Sequence, residues 1–129
     1  MATWADVRRI ALALPQTDEH TSRGLPAWRV NARLFVWERP LGRADTAALG
    51  DQAPHGPILG VRVEHVGLKE ALLASDPNVL FTIPHFDGYP AVLVRLEQIS
   101  LAALEELIVD AWLARAPKRL AAQFLASRS

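Results

Sequence analysis

The sequence predicts an α+β domain: a single antiparallel sheet with N- and C-terminal helices packed on one face. Three observations carry this. Apolar residues recur at helical spacing at both ends of the chain, over 4–14 and 101–126. Between them the period drops to two in short runs at 28–30, 33–38, 58–64 and 91–96. Strands in the middle flanked by helices fit one layered core, and 129 residues is the chain of one domain, 1–129.

The elements follow in order. Thr3 with Asp6 three residues on forms a capping box for a first helix at 4–14, which Pro15 stops. Trp28-Arg29-Val30 and Arg33–Glu38 read as a hairpin, with Asn31 accepting the left-handed turn and Ala32 standing where glycine would be better. Residues 40–57 hold three Pro and three Gly and read as a long surface loop with one helical turn near 46–49. A strand is expected at 58–64, a short helix at 67–74, an extended run at 79–83, a tight loop at 84–90 and a strand at 91–96. Ser100 caps a helix at 101–115, whose Leu104, Ile108, Ala111 and Trp112 share a face. Pro117 opens a last helix at 117–126.

Composition excludes several functions. There is no Cys, so disulfides, thiolate metal sites and a Cys nucleophile are ruled out. Fourteen basic residues balance fourteen acidic ones, which argues against a strongly basic nucleic-acid binder. The apolar run at 10–14 is too short for a signal-peptide core, and no stretch nears the roughly 20 residues of a membrane span. A cytoplasmic location and no membrane partner are expected.

Period two sorts the strands into faces. Trp28, Val30, Leu34, Val36, Leu59, Val61, Val63, Val92, Val94 and Leu96 make an apolar face for the helices. Arg29, Arg33, Phe35, Trp37, Arg39, Arg62, Glu64, Leu93 and Arg95 make the other. The second face is either a cationic platform with aromatic rings for bases, or a solvated surface whose Arg side chains shield those rings. The charge is also uneven along the chain. Residues 111–129 carry Arg115, Lys118, Arg119 and Arg128 and no acid, which leaves 1–110 at −4. Lys118 and Arg119 fall in the first turn of the last helix, where cations oppose the dipole. Pairing with Glu105, Glu106 or Asp110, or an anion at the helix start, would compensate.

No catalytic set is visible: there is no nucleophile elbow, no glycine-rich phosphate loop and no His-Glu-x-x-His. His85-x-Asp87 is the densest polar group. It reads as a turn in which Gly88 takes a positive φ, or as a His85 base oriented by Asp87. The four His are spaced too irregularly to predict a metal site, and no cofactor is expected.

Phe81-Thr-Ile-Pro-His-Phe-Asp-Gly-Tyr-Pro90, then Ala91–Leu96, and the Ala-Trp…Ala-Pro pattern within Asp110–Leu120 resemble the MmcQ/YjbR family of small bacterial proteins. Leu14-Pro15, Thr17–His20 and the Trp-bearing hairpin fit its layout. The resemblance implies a frataxin-type (CyaY-like) fold and a non-enzymatic DNA-binding activity. Frataxin's iron chemistry does not transfer, because it relies on an acidic first helix and Asp6 is the only acid here. The DNA contacts expected from the charge sorting are Arg29, Arg33, Arg62 and Arg95 with Phe35 and Trp37 as stacking surfaces, and a second patch of Arg115, Lys118 and Arg119. Binding would be weak and salt-dependent, by a monomer or weak dimer. A small anionic ligand held by His85, Asp87, Tyr89, Lys118 and Arg119 is the alternative. A third reading is a protein-interaction adaptor using Phe35 and Trp37.

Overall fold

A computed structural model describes residues 2–128 of the chain. Helix α1 (Trp4–Leu12) begins at the expected capping box: the Asp6 N–H donates to Thr3 Oγ1 at 3.3 Å, and the Thr3 N–H donates to Asp6 Oδ2 at 2.9 Å. Then come β1 (Thr17–Ser22), β2 (Leu25–Val30), β3 (Arg33–Glu38) and helix α2 (Arg43–Leu49). Strand β4 (Ile58–Arg62), helix α3 (Val66–Ser75), β5 (Leu80–Phe81) and β6 (Ala91–Arg95) follow, and α4 (Leu101–Arg115) and α5 (Lys118–Arg128) close the chain. The six strands form one antiparallel sheet in the order β1-β2-β3-β4-β6-β5. Among the described residues no helix is long and apolar enough to cross a membrane.

Both hairpin turns use paired left-handed residues. Arg23 and Gly24 have φ of 53° and 79°, and Asn31 and Ala32 have 47° and 69°. This is the twist-matched two-residue turn, and Ala32 holds it at a cost of about 1–2 kcal/mol because of its Cβ.

The helices cover one face. Trp112 of α4 lies at its centre, fully buried; its Nε1 donates to Pro15 O at 3.1 Å, and Phe124 of α5 packs 4.8 Å from its ring. Val36, Leu59, Val61, Val92 and Val94 meet this layer as predicted. The expected alternation fails at the start of β3. Trp28 pairs with Val36 but Arg29 pairs with Leu34, so Phe35 is an extra residue on β3. Phe35 therefore joins Val36 in the helix-side core with no exposed surface. Leu34 turns to the second face beside Arg29, and Arg33 turns toward the helix side opposite Val30. These three assignments correct the predicted faces.

The second face is half covered, which corrects its reading as open. One row crosses the sheet as His20, Ala27, Trp37, Gly60, Leu93 and Phe81. Trp37 lies over Gly60, and Leu93 and Phe81 join Ile58, Ile83 and Phe86 in a second small core. The 84–90 segment, with Leu41 just before α2 and Leu49 at its end, roofs this core. Residues 40–57 are thus more ordered than a loop: α2 is two turns long and caps itself through Asp45, which accepts from the Gly42 N–H at 2.9 Å.

Two stability changes follow. Ala32→Gly relieves the left-handed Cβ and should raise unfolding free energy by about 1 kcal/mol in urea titrations. Gly60→Ala would place a Cβ 2.5 Å from the Trp37 ring. It should lower stability by about 1–3 kcal/mol and shift the Trp37 fluorescence.

Candidate functional site

Three elements end together at one corner of the sheet: β3 starts there, β4 stops there, and the C-terminus of α4 meets them. Arg115 of α4 donates from Nε to Leu34 O at 3.1 Å, and Arg33 donates from Nη1 to Arg115 O at 3.4 Å. Arg62 at the end of β4 donates to Pro90 O at 3.2 Å and to Tyr89 Oη at 3.1 Å, with its guanidinium 4.9 Å from the Tyr89 ring centre. Lys118, exposed at the start of α5, lines one groove of about 650 Å³ with Arg33, Arg62 and Asp110. Among the described residues, none of these four cations has a carboxylate within ion-pair distance. Burial first, then the positive charges of Arg62 and Arg33, pull the Arg115 guanidinium below its ordinary range. Burial, reinforced by Glu106, pushes the Asp110 carboxyl up.

The structure thus joins Arg33 and Arg62 of the first predicted basic patch to Arg115 and Lys118 of the second and separates the rest. Arg29 is held by Asp18, with Nε and Nη2 3.1 Å from its two carboxylate oxygens. Arg95 lies over Phe81, 4.4 Å from the ring centre, and donates to Gln52 O at 3.2 Å, away from the corner. Arg119 is exposed and its side chain makes no hydrogen bond or ion pair among the described residues, and neither it nor Lys118 pairs with Glu105, Glu106 or Asp110. Phe35 offers no stacking surface because it is fully buried, which also removes half of the adaptor patch. Trp37 remains half-buried, edge-on to Phe86 at 6.3 Å.

Beyond Tyr89 the corner opens into a cleft of about 530 Å³ on the uncovered half of the second face. Trp37, Phe86, Tyr89 and His85 wall one side, and His20 lies across from them on β1. His85 packs 5.3 Å from Phe86, no hydrogen bond joins it to Asp87 among the described residues, and Gly88 takes the predicted positive φ of 73°. No group of three His, Asp or Glu side chains comes together as a metal site among those residues.

The family model described as YjbR matches residues 12–114. The chain belongs to the YjbR family. Uncharacterized proteins of Mycobacterium tuberculosis and Mycobacterium bovis are 54% identical to it over 98% of each chain. The crystal structure of Deinococcus radiodurans protein DR2400, with a DUF419 domain, shares the fold at a TM-score of 0.65 and 19% identity, covering 88% of this chain and 78% of that one.

In this YjbR chain the 84–90 segment is anchored by a residue that pattern reading passed over. Lys69 of α3 is 4% exposed and donates from Nζ to Phe86 O at 2.5 Å and Tyr89 O at 2.9 Å. Burial draws its ammonium below the usual range and the nearby Asp87 opposes this. The signal was available: Lys69 falls three residues after Val66 and three before Leu72, on the inward side of its helix. Lys69→Met keeps the length and removes the charged donor, leaving Phe86 O and Tyr89 O with only their backbone donors, the Tyr89 and Ala91 N–H groups. Stability should fall by about 1–3 kcal/mol, and amide exchange at 86–91 should accelerate more than in α4.

Proposed function

We propose that this YjbR protein is a non-enzymatic nucleic-acid-binding protein whose phosphate contacts lie at the corner formed by Arg33, Arg62, Arg115 and Lys118. The supporting observation is the convergence of four cations from β3, β4, α4 and α5 with no carboxylate paired to any of them among the described residues. Backbone carbonyls fix the three guanidiniums, and each keeps N–H donors for phosphate oxygens. Like charges held side by side repel, so a bound phosphate offsets a strain already built into the fold. DNA is the occupant that the family resemblance implies. Contacts from Arg29 and Arg95 leave the reading, because Asp18 and Phe81 already engage them.

Four phosphate contacts give a modest affinity with a steep salt response. On duplex DNA the logarithm of the binding constant should fall with the logarithm of salt at a slope of about −3 to −4. The variant Arg33→Gln/Lys118→Gln changes two exposed side chains and should flatten that slope by about 2. Fluorescence anisotropy of labelled DNA over a salt series measures both. Salt-independent binding, or binding that the variant leaves unchanged, would overturn the proposal.

A further inference from the structure

We infer that the cleft beside the cationic corner receives a single unstacked nucleobase, so that the preferred ligand is single-stranded nucleic acid. This rests on the phosphate reading of the corner and specifies its ligand.

Two hydrogen bonds link the features. Leu34 and Tyr89 line the cleft, and the corner's Arg115 and Arg62 donate to Leu34 O and Tyr89 Oη respectively. A phosphate at those guanidiniums therefore stands at the mouth of the cleft. The covered half of the face rises as an aromatic wall, in which Phe86 lies 6.3 Å from Trp37 and 5.7 Å from Tyr89. Flat rings beside a phosphate site are the arrangement that stacks a base whatever its identity.

Polar groups also line the cleft, in the imidazoles of His20 and His85. A base edge carries donors and acceptors in the plane of its ring and can bond to such groups while one of its faces meets Trp37. Paired bases of a duplex are stacked on their neighbours and cannot enter, which sets the expected preference.

The experiment compares labelled oligothymidylate with its duplex on oligoadenylate by anisotropy at one salt concentration. Wild type should favour the single strand by about tenfold, within the range one stacked base supplies. His20→Ala/His85→Ala should erase that margin and leave duplex binding unchanged. Trp37→Leu, checked for folding by circular dichroism, should do the same. Equal affinity for the two forms, with both cleft variants silent, overturns the inference and leaves the phosphate corner standing. Loss of both forms in wild type overturns the corner as well. Thymidine monophosphate competing as strongly as the oligomer would overturn the assignment to a polymer.

Discussion

The extra residue that β3 carries opposite the Trp28–Arg29 step governs what both faces of the sheet present. With Phe35 inserted there, two consecutive side chains, Phe35 and Val36, enter the helix-side core. The start of the strand is then rotated relative to its end. Arg33 is turned off the second face and reaches the last carbonyl of α4, while Leu34 enters the cleft and exposes its own carbonyl to Arg115. Without the bulge, Arg33 would project on the same side as Trp37, and α4 would have no guanidinium to dock against. One inserted residue thus couples the packing of the helix layer to the position of the cations.

The second constraint is the segment 84–90, which opens with a single 3-10 turn at Pro84–Phe86. It crosses from β5 to β6, roofs the small core and supplies the aromatic wall. A loop this short has few ways to satisfy its carbonyls once it lies against apolar residues. Lys69 and Arg62 take three of them: Phe86 O and Tyr89 O from α3, and Pro90 O from β4. The corner and the roof consequently share Arg62, whose guanidinium also lies over Tyr89. A ligand that draws on Arg62 acts on the cleft wall at the same time.

Much of the fold was legible because local signals and burial agree. Ser100 caps α4 by accepting from the Ala103 N–H at 3.2 Å, and the helix runs over the residues its periodicity marks. Strand β1 was hidden because Thr17–Ser22 contains no apolar side chain; it is an edge strand held by its pairing with β2 and by the Arg23–Gly24 turn. The bulge was hidden for a different reason. Leu34, Phe35, Val36 and Trp37 are four large apolar residues in succession, and a run of this kind is compatible with any assignment of faces. Phe35 and Arg33 were therefore misplaced, whereas Arg62, whose strand β4 keeps its register throughout, was not. The junction of the two basic patches is a tertiary fact, since Arg33 and Arg115 lie more than eighty positions apart and meet by one hydrogen bond.

A chain of zero net charge can still present a cationic site, because its ion pairs fall on other cations. Asp6 pairs with Arg9, Asp18 with Arg29, Glu19 with Arg8 and Asp45 with Arg39, and none of these pairs involves a cation of the corner. Glu19 also accepts from Trp28 Nε1 at 3.0 Å, which ties the edge strand to the helix-side core. At physiological ionic strength charges beyond about 8 Å are largely screened. An anion arriving at the corner responds to Arg33, Arg62, Arg115 and Lys118, opposed by Asp110 and Glu64, which line the groove with Arg33, Arg62 and Lys118. Burial, and then Glu106, push the Asp110 carboxyl up from its ordinary range. The total charge of the chain is thus a poor guide to its ligands, and the distribution of its ion pairs is a good one.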